Sequence, residues 1–225
     1  MKRYLPFLII IAVALITAAT GLWLYKTKMR PAPRREATAA NSLPQKEEGK
    51  LGGPHVRGAV NAPLTLEIYG DFQCPPCATT TVVIDELQQE YGQRMRLIFH
   101  EFPLAMHAHA LAAAMAAEAA GAQGHFWDMH DMLYRYQAVW SKASNPERLF
   151  RAYAESFGLD MAKFEAAAKS DETRERIMAE GSAGAARGVV NTPTIFINGE
   201  VARGGFTQDN LKTALATALS AKPKN

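Results

Sequence analysis

The chain has 225 residues, and its content of 48% hydrophobic against 21% charged residues gives it enough apolar material for one folded domain. A net charge of +3 does not fit a general nucleic-acid binder, and two cysteines exclude both a four-thiolate zinc site and a small fold held by several disulfides. The charge is uneven, because residues 1–57 carry ten of the 25 basic residues and three of the 22 acidic ones.

An uncharged run from Tyr4 to Tyr25 follows Lys2 and Arg3 at the start of the chain. About 20 apolar residues in a helix cross a hydrocarbon core of roughly 30 Å, and aromatic residues stand near both ends of this run. Residues 1–25 are therefore predicted to form a short cytoplasmic tip and a transmembrane anchor. A cleaved signal peptide is the alternative, although its apolar stretch usually has about 7–15 residues.

Residues 26–57 combine prolines, charges and a Gly-Gly pair without any apolar period. Such a composition buries too little surface to offset the entropy lost on ordering, so it predicts a flexible linker that ends at residue 57. The basic residues that directly follow the span outnumber those before it. By the positive-inside rule alone, they would favour a cytoplasmic location for the rest of the chain.

The folded domain is predicted to occupy residues 58–225. Short runs of β-forming residues mark its strands, and stretches rich in Ala, Leu, Met and Glu mark its helices. Asn145 and Thr207 are predicted helix N-caps, and Asn198-Gly199 predicts a hairpin turn. The predicted elements in chain order are a strand at 64–69, a helix at 82–91, a strand at 95–99, a helical block, strands at 194–198 and 200–203, and a helix at 207–220.

The sequence Cys74-Pro75-Pro76-Cys77 lies where the first predicted strand runs into a helix. A cysteine at a helix N-terminus is expected to be exposed and to have a lowered pKa, because unpaired N–H groups and the helix dipole favour its thiolate. The thiolate attacks disulfides, and Cys77 is close enough to close an intramolecular bond. No histidine separates the cysteines, so we expect a moderate lowering and a reduction potential between about −270 and −120 mV. A structural disulfide and a metal site are the alternatives, although so short a loop gains little from closure.

Three motifs in order give the chain a resemblance to the DsbA-like family of thiol–disulfide oxidoreductases: DFQCPPC, then FPL with GHFWDMHDMLY, then GVVNTPTIFINGE. The resemblance covers residues 58–219. It implies an α/β, thioredoxin-like fold with an inserted helical subdomain at about residues 104–187, here preceded by the predicted transmembrane helix.

The resemblance also assigns roles to the motif residues. It implies that Cys74 is the nucleophile and Cys77 the resolving thiol, with Pro75 and Pro76 in the active-site loop. Pro193, which alone indicates only the start of a strand, would be a cis proline beside Cys74. Thr192 would lie next to the sulfurs, and the backbone before Pro193 would pair with an extended substrate segment.

The implied function is a membrane-anchored enzyme that exchanges disulfides with extracytoplasmic proteins. It would need no cofactor beyond its own Cys74–Cys77 disulfide, no metal and no nucleic acid, but a separate redox partner would have to reset it. Whether it acts as oxidase, reductase or isomerase stays open. We expect the catalytic domain on the periplasmic side of the inner membrane, because a chain whose only cysteines are the reactive pair suits an oxidising compartment.

One position departs from the family pattern. Many relatives carry a buried acid six residues before the first cysteine, where this chain has Ile68 next to Glu67. Neighbouring residues of a strand face opposite sides. Either Glu67 turns inward through a bulge, or the acid is absent.

The remaining polar and sulfur-containing residues have ordinary interpretations. His100, His107 and His109 invite an alternative function, a membrane-tethered chaperone or metal-binding module, but residues two apart on a helix point in different directions, so solvated or capping roles are expected. His125 and His130 are predicted at the surface, and Asp71 in a loop or turn. Core positions are predicted for four methionines: Met106, Met115, Met129 and Met132.

Overall fold

The computed structural model describes residues 55–203 and 205–221. Within them, five strands and eight helices follow one another, with one 3₁₀ turn at Gly92–Arg94. In chain order they are β1 (His55–Gly58), β2 (Leu64–Gly70), α1 (Pro75–Tyr91), β3 (Met95–Glu101), α2 (Ala110–Gly121), α3 (Phe126–Arg135), α4 (Gln137–Trp140), α5 (Glu147–Ser156), α6 (Met161–Ala167), α7 (Asp171–Ala186), β4 (Thr194–Ile197), β5 (Glu200–Val201) and α8 (Gln208–Ser220).

The strands form one mixed sheet in the order β1-β3-β2-β4-β5. The central pair, β2 and β3, is parallel, and α1 connects its two strands. The other pairs are antiparallel: β1 pairs with β3, β4 with β2, and β5 with β4. The carboxyl end of β2 leads directly into the Cys-Pro-Pro-Cys segment, so the sheet fixes where the cysteines lie.

The first strand corrects the predicted domain boundary. The linker was expected to run to residue 57, but His55–Gly58 pair with β3. His55 is buried, and the carbonyl of Val56 accepts a hydrogen bond from Trp127 Nε1 at 3.1 Å. The strand has only four residues and its pairing partner lies about 40 positions away, so local composition gave no sign of it.

The other predicted strands and turns agree with the structure to within a few residues. The strand predicted at 200–203 is shorter, since β5 contains Glu200–Val201 alone. Asn198 and Gly199 both have positive φ, 49° and 84°, as a two-residue hairpin turn of type I′ requires. The helix predicted at 82–91 extends back to Pro75.

Side-chain caps define several helix ends. Thr207 accepts a hydrogen bond from the Asn210 amide, as predicted. Asn145 Oδ1 accepts one from the Arg148 amide at 3.3 Å, although the helix itself begins two residues later, at Glu147. Asp160 and Ser170, which the sequence analysis did not single out, cap α6 and α7 in the same way.

The helical insertion lies between β3 and β4, inside the predicted block of residues 104–187. Its central helix α2 is rich in buried alanines, which let α3, α6 and α7 approach closely. An aromatic cluster joins this subdomain to the sheet, where the Phe99 ring contacts the rings of Phe126, Trp127, His130 and Tyr134. One core therefore underlies both the sheet and the insertion.

The predicted transmembrane segment from Tyr4 to Tyr25 and most of the predicted linker lie outside the described residues. Among the helices that the structure does describe, none combines the length and the apolar character needed to span a bilayer.

Candidate active site

Cys74 is the N-cap of α1, directly after the loop that follows β2. Its amide donates to the carbonyl of Asp71 at 3.1 Å, and its own carbonyl accepts from the amide of Cys77 at 3.1 Å. The exposed residues Pro75 and Pro76 occupy the first two helical positions, where the absence of an N–H costs nothing. The two cysteines are thereby held one helical turn apart.

Asp71 organises the loop beneath Cys74. It is 1% exposed, and its carboxylate accepts from the amides of Gln73 at 2.7 Å and Leu104 at 2.9 Å. His107 Nδ1 lies 2.7 Å from the same carboxylate. These contacts give Asp71 the structural loop role that the sequence predicted.

Gln137, at the start of α4, is a site residue that the sequence analysis missed. Its amide nitrogen donates to the carbonyls of Phe72 at 2.7 Å and Cys74 at 2.9 Å, and its side chain is buried. The contacts span more than 60 residues, and an isolated glutamine in a helical block carries no signal for them. Through Gln137 the helical insertion fixes the backbone on which the reactive sulfur stands.

The segment before β4 covers Cys74 from the other side. The Thr192–Pro193 peptide bond is cis, and the Cys74 thiol donates to the Thr192 carbonyl at 3.3 Å. The structure thus brings the Thr192 carbonyl to Cys74, although 118 residues separate the two, and Pro193 follows Thr192 directly. Cys74 is only 4% exposed, so the prediction of an exposed residue is wrong, and the Thr192 carbonyl lies against its sulfur.

The surroundings of the two sulfurs shift their pKa values in opposite directions. The pKa of Cys74 is lowered to about 6, chiefly because Cys77 donates a hydrogen bond to its thiolate, with the side chain of Thr192, not its carbonyl, adding a smaller lowering. Burial opposes this lowering. The pKa of Cys77 is raised, first because its proton is held by Cys74 and then because it is buried. The arrangement therefore provides a thiolate at Cys74 beside a protonated thiol at Cys77.

The structure decides between the two interpretations of Glu67. β2 pairs regularly with both of its neighbours at this residue, without a bulge. The carboxylate lies 2.6 Å from Arg187 Nη1, on the face opposite to Ile68. Glu67 therefore does not turn inward, and the family's acid is absent from its usual position.

The histidines proposed for the alternative function do not converge. His107 contacts Asp71, His100 lies 3.6 Å from Glu67, and His109 is the N-cap of α2. Within residues 55–203 and 205–221, no three His, Cys, Asp or Glu side chains lie close enough to hold a metal ion.

Two surface and core predictions need correction. His130 is 3% exposed, because aromatic rings and Asp131 enclose it, whereas His125 is partly exposed. Met106 is 82% exposed in the loop after β3, although Met115 and Met129 are buried as predicted and Met132 is partly buried.

Comparison with known proteins places this geometry in a family. The family model described as Thioredoxin matches residues 50–217. The fold resembles that of α-DsbA1 from Wolbachia pipientis, with a TM-score of 0.65, 18% identity, and coverage of 80% of this chain and 94% of that one. It also resembles MdbA, a thiol-disulfide oxidoreductase from Corynebacterium diphtheriae, with a TM-score of 0.58, 21% identity, and coverage of 73% and 89%.

Among curated proteins, a Na(+)/H(+) antiporter, NhaA 1 of Salinispora arenicola, is 32% identical over 220 residues, which are 93% of this chain. The chain spans about a third of the length of this relative, 32%. The family match covers the sheet, the cysteine pair and the cis proline, and the architecture is that of the DsbA-like structures. The chain therefore belongs to the thioredoxin family. Its fold resembles that of the DsbA-like structures, as the sequence motifs predicted.

Proposed function

We propose that this protein exchanges disulfides with protein substrates through Cys74 and Cys77. The observation that carries the proposal is the position of Cys74, at the N-terminus of α1 with a lowered pKa and a protonated Cys77 beside it. The similar protein from Corynebacterium diphtheriae is named a thiol-disulfide oxidoreductase. Activity, substrates and partners are proposed here on the strength of this site.

The exchange proceeds in two displacements. The Cys74 thiolate attacks a substrate disulfide, forms a mixed disulfide, and leaves one substrate sulfur as a thiolate that takes up a proton. Cys77 then loses its proton and attacks Cys74, which forms the Cys74–Cys77 bond and releases the second substrate sulfur. The substrate gains two electrons and the enzyme dithiol loses them. The reverse sequence oxidises a substrate dithiol.

The segment that ends in cis Pro193 is the proposed binding site for the substrate. The Thr192 carbonyl accepts a hydrogen bond from Cys74, and the nearby Val190 is 83% exposed. An extended substrate segment can pair with the backbone here and present its sulfur to Cys74. The dithiol itself carries the electrons, so no organic cofactor is required, and a second redox protein resets the pair after each turnover.

We further propose that Tyr4–Tyr25 anchors the protein in the inner membrane, with the catalytic domain on the periplasmic side. The support is the length of the uncharged run and the presence of cysteines only in the reactive pair. In spheroplasts, added protease should degrade the domain while a cytoplasmic marker stays intact. Protection of the domain until the membrane is lysed would contradict this orientation.

The exchange reaction is tested by trapping its intermediate. Cys77→Ser removes the resolving thiol, so mixed disulfides with substrates should accumulate on Cys74 and disappear on reduction. Cys74→Ser is the matched control, because it keeps one cysteine of the pair but removes the nucleophile, and it should trap none. Absence of adducts from Cys77→Ser, with the variant folded and at wild-type abundance, would contradict the proposed function.

A further inference from the structure

Glu101 is a buried carboxyl that the exchange described above does not use. It is the last residue of β3 and is 0% exposed. Neither of its carboxylate oxygens has a hydrogen-bond partner among the described residues. An unpaired buried carboxylate opposes folding, so its presence here calls for a functional explanation.

The register of the sheet places Glu101 at the active-site end. It pairs with Gly70, the residue before Asp71, while Ile68 pairs with Phe99. Residues two apart on a strand share a face, so Glu101 lies on the same face as Ile68, two pairs closer to the cysteines. Ile68 occupies the position where many relatives have their buried acid.

Tyr134 lies beside Gly70, the residue that pairs with Glu101. Its hydroxyl lies 2.9 Å from the point where a Cβ of residue 70 would stand, in space that exists because residue 70 is glycine. The pKa of Tyr134 is raised by burial and next by negative charge on Cys77 and on Glu101. The phenol is therefore within electrostatic reach of both groups.

The groups that face Glu101 make its carboxylate a stronger base than an ordinary glutamate. Its own amide donates to the Glu180 carboxylate of α7 at 2.8 Å, and burial together with the charges of Glu180 and Asp71 raises the pKa of Glu101 well above its ordinary value. Arg176 of α7 opposes this rise. From α3, Tyr134 is neutral at physiological pH, and burial lowers the pKa of His130; on β1, the pKa of His55 is lowered to about 3.

We propose that Glu101 exchanges the proton of Cys77, by way of the Tyr134 hydroxyl or water beside it, in place of the acid that relatives carry at the position of Ile68. The inference rests on the proposed function. When the mixed disulfide resolves, the Cys77 proton passes to the Glu101 carboxylate and the new thiolate attacks Cys74. The disulfide to the substrate breaks, its electron pair stays on the departing sulfur, and Glu101 returns its proton to that sulfur or to solvent.

The first test compares Glu101→Gln with Glu67→Gln, a carboxyl on the opposite face of the sheet. A peptide is loaded onto Cys74 as a mixed disulfide, and its release is followed in a single turnover between pH 5 and 9. We expect Glu101→Gln to slow release at pH 7 by about 100-fold and to make the rate rise with pH up to the top of the range. Glu67→Gln should release the peptide at the wild-type rate. Release by Glu101→Gln within twofold of wild type at every pH would overturn the proposal.

Two further measurements distinguish failure of the proposed role of Glu101 from failure of the proposed disulfide exchange. The first attack of Cys74 on Ellman's reagent should be unchanged in Glu101→Gln; loss of that reaction in the wild type itself would refute the proposed function rather than this inference. Glu101→Met should melt about 2–4 °C higher than wild type at pH 8, with the gain vanishing near pH 4, because a raised pKa makes the native carboxyl destabilising as pH rises. A lower Tm of Glu101→Met at pH 8 would identify a structural carboxyl and overturn the proposal.

Discussion

Cys74 owes its acidity to groups that the sequence places at very different distances. The position of Cys74 at the N-terminus of α1 was predictable, because two prolines and a preceding strand mark the start of that helix. The hydrogen bond from Cys77 lies within the same motif, but the contribution of Thr192 comes from more than 100 residues away. Thr192 could be placed at the sulfur only through the family resemblance. The burial of Cys74 followed neither from the local sequence pattern nor from that resemblance.

Gly70 shows how closely the site is packed. A Cβ there would stand 2.5 Å from Cε2 of Phe99 and 2.9 Å from the Tyr134 hydroxyl. Gly70→Ala should therefore destabilise the protein by about 1–3 kcal/mol, because both rings are buried and have little room to move. Urea unfolding of the two proteins measures the difference.

Gly181→Ala is the control for that substitution. A Cβ on Gly181 meets nothing within 4 Å, and the residue lies inside α7. This change should stabilise the protein by up to about 1 kcal/mol, as alanine does in helices. Equal stability of Gly70→Ala and wild type would show that the rings over β2 yield without cost.

At the scale of elements, β1 contributes more than its four residues suggest. His55 lies 2.7 Å from the Glu118 carboxylate of α2, which Arg176 of α7 also binds. Arg57 pairs with Asp131 of α3 at 2.8 Å. The edge strand thus ties the sheet to three helices of the insertion, through the neutral His55 and the charged Arg57.

A chain that starts at residue 53 should therefore be more stable than one that starts at residue 59, by about 3 kcal/mol or more, because the shorter chain leaves Glu118 without one of its buried partners. Denaturant midpoints of the two chains measure this, and both lack the preceding residues equally. The pKa of His55 is lowered from 6.5 to about 3, so its contribution should decline as pH falls from about 6.5 to about 3, where the unfolded chain takes up the proton first. Equal midpoints at pH 7 would contradict this role of β1.

The elements with strong local signals were predictable, and those that depend on distant partners were not. Strands β2, β3 and β4, the Asn198-Gly199 turn and the cap of α8 follow from short patterns. β1 escaped because a four-residue edge strand has no distinctive composition. The contacts of Gln137 and the burial of His130 were not predicted, because tertiary packing alone determines them.

At the scale of the whole molecule, the core and the dithiol form one unit in which the helical insertion and the sheet both contact the active-site loop. Gln137 holds that loop from α4, and Thr192 covers it from the segment before β4. The matched antiporter from Salinispora arenicola is about three times as long as this chain, so a related sequence also forms part of a longer protein.

The lowered pKa of Cys74 makes it a thiolate at physiological pH, while the raised pKa of Cys77 keeps that residue a thiol. The direct measurement is the rate of alkylation of Cys74 in the reduced protein between pH 4 and 10, with the modified residue located by mass spectrometry and Cys74→Ser as the blank. A pKa of about 6 predicts a rate that rises with pH to a midpoint near that value, with Cys77 unmodified until Cys74 has reacted. A midpoint near 9, or equal labelling of both cysteines, would contradict the account.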